Sequence, residues 1–470
     1  MHVPPASDAG LLSALPPLRL AGHGIASDYA YSLLESLGAR VTTVAGPEDL
    51  SAASAWAQSG LMSLTGLADG PAQMCPAPLA SCADGAVRAL SCLAPLDAVG
   101  SLPAGRALLG ERAAIARLHR KGLMSPGGSC RLLAGADGWF AVNLPRAADW
   151  ADVPAWLESG RIESWDALAS TVAARAVEPL VERARLLGLA ACVSAPPAAV
   201  PRPWFSAARH GPAAPIETRV RPPRIVDLSS LWAGPLCSHL LQQLGGEVIK
   251  VESPDRPDGA RRGPADFFDL LNHRKRSVAI PFDGRGMERL HALLDWADIV
   301  IEGSRPRALR ERGIVAEQCV ARRPGLTWVS LTGYGRDEPG SDWVAFGDDG
   351  AVAAGLSSLM QQLTGAPLVC GDALADPLAG MHAALAGLAS HRGGGGHLIE
   401  ITLRDVVAHG IAFGQPRTEA AMRERWRAWT AEARALGLDA VRPAARAVTG
   451  RACPLGADND SVFRRPSRAC

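Results

Sequence analysis

The chain has 470 residues, of which 48% are hydrophobic, and a formal net charge of +1 at pH 7. This length predicts two or more domains with sizeable cores. The balanced charge excludes the basic surface of a typical nucleic-acid-binding protein, and no apolar run in the sequence is long enough to span a membrane.

Cysteine usage and the N-terminal composition indicate the compartment. The ten cysteines are scattered and form no C-x-x-C pair, which favours reduced thiols over disulfides or zinc ligands. The N-terminus lacks the basic flank and apolar stretch of a signal peptide. We therefore expect a cytoplasmic protein that binds neither nucleic acid nor membrane.

The first predicted elements form a β-α-β unit, which favours a parallel sheet. They are a strand, a helix and a second strand, at 18–20, 28–37 and 40–44. The stretch 33–44 aligns without gaps with 240–251, with leucines, a glycine and valines in register. We interpret this match as an internal repeat, in which residues 1–80 are a degenerate fragment of a larger domain.

Residues 81–218 are predicted to hold a smaller domain that ends in a linker. The predicted helices lie at 86–93, 105–118, 149–158 and 164–187, with a hairpin at 131–144. Residues 195–223 are rich in proline, which indicates a linker. Residues 1–218 are called the first half below.

From residue 219 the alternation of strands and helices becomes regular. Strands are predicted at 225–228, 247–251, 277–280, 299–302, 327–331 and 398–402, and helices at 234–244, 285–296 and 349–362. The pattern predicts an α/β fold: a doubly wound, Rossmann-like parallel sheet at 219–412, with the smaller α+β domain beside it. Residues 413–470 are predicted to form a C-terminal helix and a closing segment.

One further helix is predicted to begin at Asp376. This residue directly precedes Pro377 and an Ala-rich apolar run. Because Asp is a preferred N-cap and Pro favours the first turn, we expect Asp376 to cap the helix. The positive end of the helix dipole is then expected to keep its carboxylate ionised.

Several motifs around this helix resemble those of the class III CoA-transferases, the CaiB/BaiF family, and occur in the family's order. They are 227–235 with 246–252, 272–279, 297–306, 331–335, and 371–382 with 396–401. The resemblance runs from 224 to 412, and the hairpin at 131–144 resembles the family's smaller domain. It implies a fused form of the family with a degenerate first half, which lends its small domain to the catalytic domain.

The resemblance implies an enzyme that transfers coenzyme A from an acyl-CoA to a carboxylic acid. Asp376 would be the nucleophile, through a mixed anhydride and an aspartyl-CoA thioester. An ionised carboxylate is competent for this attack, and backbone N–H groups near 377–379 are candidate donors to the oxyanions.

The family's positions also imply the residues that bind coenzyme A: Leu231, Trp232, Ala233, Arg261, Lys275, Arg276, Arg305 and Tyr334. Arginine and lysine suit its phosphates, and the loop 231–233 would lie along the pantetheine and adenine. Arg261 and Arg305 are equally interpretable as surface charges, and Trp232 as a core residue. Coenzyme A enters as a substrate, and the sequence carries no metal, NAD or flavin fingerprint.

The sequence departs from the family at two places. Gly303 and Ser304 replace an Asn-Phe pair, which removes an aromatic contact to adenine. Phe346 and Gly347 replace a Tyr-Asp pair and precede two acidic residues, 348 and 349. These acids are either catalytic or caps of a helix that begins near residue 350.

Two other functions stay open. One is a 2-methylacyl-CoA racemase, which uses a His and an Asp as its two bases. Phe346 stands where that His would fall, and Phe cannot accept a proton. The other is a non-catalytic CoA-binding protein.

The truncated first domain bears on assembly, since it would leave an apolar face uncovered. Such faces seek partners, so we favour a homodimer over a single-chain pseudo-dimer.

Overall fold

The computed structural model describes residues 10–94, 102–200, 202–219 and 221–463. Its strands form a seven-stranded sheet, a three-stranded sheet and a two-stranded sheet. The large sheet is mostly parallel and helices pack against it, which confirms the predicted mixed α/β class. No helix within these ranges is both long and apolar enough to cross a bilayer.

The N-terminal layer holds the predicted β-α-β unit. Its elements are β1 (Leu18–His23), α1 (Ile25–Ser36), β2 (Val41–Glu48), α2 (Ala52–Gln58), α3 (Leu79–Cys92), α4 (Gly105–Leu108) and α5 (Glu111–Ala116). Strands β1 and β2 pair in parallel, as predicted. The internal repeat itself stays a prediction.

The single helix predicted at 105–118 is wrong, because the chain breaks into α4 and α5 at Gly110. A β-carbon at Gly110 would lie 2.7 Å from Cβ of Pro443, in the C-terminal segment. The break is therefore set by a contact with a distant part of the chain.

The small layer is an antiparallel sheet covered by helices. It consists of β3 (Cys130–Ala134), β4 (Trp139–Asn143), α6 (Ala147–Leu157), α7 (Trp165–Val172), α8 (Val177–Leu186) and β5 (Ala190–Val193). The helix predicted at 164–187 is two helices. Between them the carbonyl of Arg175 accepts a hydrogen bond from Ala136, and Asp137 accepts one from the backbone of Val177, both at 2.8 Å. These bonds to the hairpin turn interrupt the helix.

The large layer begins with β6 (Ser206–Arg209). The strands that follow are β7 (Arg224–Leu228), β8 (Glu247–Glu252), β9 (Arg276–Ala279), β10 (Ile299–Glu302), β11 (Thr327–Thr332) and β12 (His397–Thr402). In space the order is β6-β12-β11-β10-β7-β8-β9. All neighbours are parallel except β6 and β12.

Strand β6 corrects the prediction that residues 195–223 are only a linker. It pairs with β12 from Ser206 to Arg209. Its sequence, Ser-Ala-Ala-Arg, has no strand pattern, so the backbone partner rather than local propensity makes it a strand.

Helices cover this sheet and continue to the C-terminus. They are α9 (Ala233–Gln243), α10 (Ala265–Asn272), α11 (Gly284–Trp296), α12 (Pro306–Arg310), α13 (Ala316–Arg322), α14 (Gly347–Ala353), α15 (Leu356–Thr364), α16 (Ala375–Arg392), α17 (Leu403–Ala412), α18 (Glu419–Ala435) and α19 (Asn459–Phe463). The helix predicted at 349–362 divides at Gly355, where φ is 97° and a β-carbon would lie 2.5 Å from the backbone nitrogen of Pro197.

Helix α16 lies at the centre of the molecule. From Ala375 to His391, every residue except Asp376 is buried. Helices α9, α3 and α17 pack against it. The hydrophobic core around α16 combines residues of the first half, such as Leu33 and Leu90, with residues of the large layer, such as Leu385. The two parts of the chain therefore share one core.

Candidate active site

Asp376 lies in the first turn of α16 and does not cap it. The helix begins at Ala375, and the N-cap position is held by Leu374. The carboxylate of Asp376 instead lies close to the backbone of Gly347 at the start of α14, which acts to lower its pKa. A β-carbon at Gly347 would lie 2.5 Å from Oδ2 of Asp376, so only glycine leaves room for this approach. The predicted capping role is therefore wrong.

The environment of Asp376 also differs from the predicted one. Burial raises the pKa of its carboxyl to about 7, while the positive charge of Arg112 acts in the opposite direction. Asp348 and Asp372 raise this pKa further. The helix dipole thus does not keep Asp376 fully ionised at neutral pH, because desolvation and like charges prevail.

An ion pair beside Asp376 joins the two halves of the chain. Arg112 of α5 donates from Nε to Oδ2 of Asp372 at 2.8 Å and from Nη2 to Oδ1 at 2.5 Å. Asp372 is fully buried, whereas 31% of the Arg112 side chain is exposed. No local sequence pattern indicates this pair, since its members lie far apart along the chain.

The two acids at the start of α14 have separate structural roles. Asp348 accepts a hydrogen bond from the backbone of Ala373 at 2.7 Å, which fixes the loop before Asp376. Asp349 accepts one from the backbone of Phe346 at 3.0 Å and one from Asn143 at 2.9 Å. The capping interpretation is confirmed for Asp349, although the helix begins at Gly347. Burial raises the pKa of Asp349 to about 7.

A loop of the first half approaches the same place. A β-carbon at Gly127 would lie 3.2 Å from Nη2 of Arg112. This loop leads into β3, and Asn143 at the end of β4 binds Asp349. The small layer therefore contacts both the cation and the α14 helix that border Asp376.

The predicted coenzyme A loop lies beside Arg112. Trp232 is buried and packs edge-to-face on Phe267, with ring centroids 5.3 Å apart. Cζ of Arg112 lies 5.9 Å from the centroid of the Trp232 ring. Leu231 is 41% exposed and has a φ of 71°, and Ala233 begins α9. The core-packing interpretation of Trp232 therefore holds, while Leu231 keeps an open side.

Lys275 is placed differently from the prediction that it contacts a phosphate. Its Nζ lies within 3.2 Å of four protein oxygens, from Asp227, Pro235, Ser238 and Asn272. The side chain is buried, and burial lowers its pKa to about 8. Because an ammonium has three donors, none is left for a ligand. Lys275 is a core residue in this structure.

The other predicted cations lie nearer the surface. Arg261 forms two hydrogen bonds with Glu252, at 2.9 and 2.6 Å, and Arg276 pairs with Glu247 at 2.9 Å. Arg305 is half-buried at the N-cap of α12. Burial and the neighbouring Arg307 lower the pKa of Arg305. Within the described ranges its side chain has no carboxylate partner within ion-pair distance.

Tyr334 lies close to two cations. Cζ of Arg185 is 5.3 Å and Cζ of Arg404 is 5.5 Å from its ring centroid. The ring is buried. Among the described residues, no group of three or more His, Cys, Asp or Glu side chains is arranged to hold a metal ion.

Comparison with known proteins shows what this part of the chain is similar to. A family model described as CoA-transferase family III matches residues 223–436. A succinyl-CoA–D-citramalate CoA-transferase from Chloroflexus aurantiacus is 31% identical over 205 residues, which cover 40% of this chain and 51% of that protein. An (R)-2-hydroxy-4-methylpentanoate CoA-transferase from Clostridioides difficile is 35% identical over 184 residues, covering 36% and 45%.

A crystal structure of a CAIB/BAIF family protein from Brucella suis is 29% identical and covers 43% of this chain and 56% of that one, with a TM-score of 0.37. A TM-score this low does not support a conclusion about the fold. The chain spans about half the length of the curated relatives that it matches. The match to the model described as CoA-transferase family III begins just before β7 and includes Asp376, so residues 223–436 are similar to that family.

Proposed function

We propose that this protein transfers coenzyme A from an acyl-CoA thioester to a carboxylic acid, with Asp376 as the nucleophile. The family match supports CoA transfer in general. One structural observation carries the assignment of Asp376: it is the one residue between Ala375 and His391 whose side chain is only partly buried. A carboxylate that keeps some exposure in an otherwise buried helix is accessible to a substrate.

The proposed reaction proceeds in four steps. An oxygen of Asp376 attacks the thioester carbon and the C–S bond breaks. CoA departs as the thiolate, and a mixed anhydride between Asp376 and the acyl group remains. The thiolate then attacks the aspartyl carbonyl, which releases the donor acid and forms an aspartyl-CoA thioester. The acceptor carboxylate attacks this thioester and expels the thiolate, which forms a second mixed anhydride. Finally the thiolate attacks the acceptor acyl carbon of this anhydride, which releases the acceptor acyl-CoA and restores Asp376.

Coenzyme A would lie along the open side of the loop at Leu231, next to Trp232 and Ala233. Of the predicted phosphate contacts, Arg305 is the one without a carboxylate partner in the described ranges, and it is the first choice. Arg261 and Arg276 would have to exchange their glutamate partners for phosphate. The proposed role of Tyr334 is indirect, since its ring packs between Arg185 and Arg404.

The proposed nucleophile must be ionised to react. Its pKa is raised to about 7 by burial, so the reactive fraction increases as the pH rises through that value. We expect kcat/KM for transfer to increase from pH 6 to pH 8, with a midpoint near pH 7.

Replacement of Asp376 tests the proposal. Asp376→Asn keeps the size of the side chain and should lower transfer by about a thousandfold or more, since the covalent route is lost. Calorimetric titration should show that coenzyme A still binds. Mass spectrometry after incubation with a panel of acyl-CoAs and free acids would detect transferred coenzyme A, and hydroxylamine would trap the acyl-enzyme.

The outcomes separate the alternatives. Transfer retained in Asp376→Asn would refute the assignment. Exchange of the α-hydrogen with solvent deuterium, without transfer, would indicate the racemase. Binding of coenzyme A with neither reaction would indicate a non-catalytic protein.

We also propose a homodimer in the cytoplasm, in which the small layer of the first half covers Asp376. The hydrogen bond between Asn143 and Asp349 supports this arrangement of the small layer. Sedimentation of the full chain would measure the assembly.

A further inference from the structure

The proposed nucleophile, Asp376, lies in the family-matched residues, but a cation beside it comes from the first half. Arg112 lies on α5, outside the matched residues 223–436. Its guanidinium binds Asp372 with two hydrogen bonds, four positions before Asp376. It also lies over the ring of Trp232. Arg112 therefore stands between the proposed coenzyme A loop and the proposed nucleophile.

Charges reach Asp376 from three elements. Arg112 on α5 attracts its carboxylate, whereas Asp348 on α14 and Asp372 in the preceding loop repel it. The charge of Arg112 acts on all three of these carboxyl groups. In a buried site such interactions are strong, because water does not screen them.

Other titratable groups on elements packed against α16 are engaged elsewhere. Their contacts are His239 with Arg446, Asp405 with Arg404, Glu400 with the backbone of Arg336, Arg219 with Asp298, Arg88 with Asp49, and His382 with Tyr29. His397 contacts Ser390, near the opposite end of α16, and His409 packs against the ring of Tyr29.

We propose that Arg112 is a positioning residue for the reaction: its pairing with Asp372 fixes the loop before α16, and its charge favours the ionised carboxylate of Asp376. This inference rests on the proposed function, since it assigns Arg112 to the same nucleophile. The first half then contributes to the chemistry itself and does more than cover the site.

The two members of the ion pair make opposite predictions. An opposite charge nearby lowers the pKa of a carboxyl by about 1–3 units. Arg112→Met removes that charge and should raise the titration midpoint of Asp376 by about one unit or more. Asp372→Asn removes a like charge while Arg112 stays, so the midpoint should fall. General damage to the fold would not shift the midpoint in opposite directions.

Infrared difference spectroscopy measures this titration without relying on activity. The carboxyl band of Asp376 is identified by subtracting the spectrum of Asp376→Asn, and is followed over pH in the full-length protein. The pH profile of kcat/KM should shift in parallel. At pH 7, Arg112→Met should lower transfer about fivefold through the smaller ionised fraction, if the midpoint rises by one unit.

Two further variants keep the test decisive. Arg112→Lys retains the charge without the two parallel hydrogen bonds, so its midpoint should lie between those of wild type and Arg112→Met. Arg106→Met is the matched control, because Arg106 pairs with Asp84 in the first half at 2.9 Å with similar exposure. It should leave the midpoint unchanged.

If the titration midpoint of Asp376 is the same in wild type and Arg112→Met, the inference is overturned, even if the transfer activity differs between the two proteins. If Arg112→Met does not fold, an unchanged midpoint in Asp372→Asn would overturn it as well. Shifts of the expected signs without any CoA transfer would support the electrostatic role of Arg112 and refute the proposed reaction.

Discussion

Gly347 is the residue on which the geometry around Asp376 depends most directly. Its backbone acts to lower the pKa of the carboxyl, and the absence of a side chain allows the close approach. At this position a side chain would meet both Oδ2 of Asp376 and the carbonyl oxygen of Ala373. The position of the Asp376 carboxylate thus depends on the space that Gly347 leaves as well as on the neighbouring charges.

Gly347→Ala should therefore abolish most CoA transfer and destabilise the protein by about 1–3 kcal/mol, the usual range for overpacking. Gly284→Ala is the control, because a β-carbon at Gly284, also in the first turn of a helix, would meet no atom within 4 Å. Transfer assays and thermal unfolding of both variants would check this. A Gly347→Ala protein with the wild-type rate would show that the close approach is unnecessary.

At the scale of elements, the position of Arg112 depends on a helix that cannot be stable alone. Helix α5 has six residues, and isolated helices of this length do not persist in water. The C-terminal segment holds it: Arg446 binds the fully buried Glu111 through Nε at 2.6 Å and Nη2 at 3.0 Å. Because Arg112 directly follows Glu111, the ion pair between Arg446 and Glu111 also holds Arg112 in position.

Arg446→Met should destabilise the protein by about 3–5 kcal/mol, because it leaves the carboxylate of Glu111 buried without its partner. The double variant Glu111→Gln/Arg446→Met should recover most of that loss. Arg423→Met, which breaks an exposed pair with Glu419, should cost only about 0.5 kcal/mol. Chemical denaturation measures all three, and equal losses for Arg446→Met and Arg423→Met would contradict the argument.

At the scale of the whole molecule, the two halves of the chain cannot be separated without exposing the core. Helix α3 packs on α16, and the hydroxyl of Tyr29 in α1 lies 2.9 Å from Nε2 of His382. Burial lowers the pKa of this histidine to about 3, so the ring stays neutral and can accept that hydrogen bond. Removing the first half would uncover this surface of α16.

The fragment 219–470 should accordingly be poorly soluble and inactive. Co-expression with the fragment 1–218 should recover soluble protein, since the shared core can then form between the two chains. Solubility and transfer are compared with those of the full chain produced in the same way. A soluble and fully active 219–470 fragment would show that the first half is needed neither for folding nor for activity.

The sequence by itself determined the large sheet and the resemblance to the CoA-transferase family. Strands β7 to β12 were each predicted within one residue of their observed ends. Parallel strands buried on both faces are continuous apolar runs, which a sequence shows directly. Asp376 was singled out on a different ground, because residues 371–382 resemble the family's motif.

Only the tertiary structure decided how the site is assembled. Strand β6 exists through its pairing with β12, and the helix breaks at Gly110 and Gly355 follow from contacts with Pro443 and Pro197. The pairing of Arg112 with Asp372 and the raised pKa of Asp376 likewise arise between distant residues. Burial and charge depend on which side chains the fold brings together, and local sequence patterns do not contain that information.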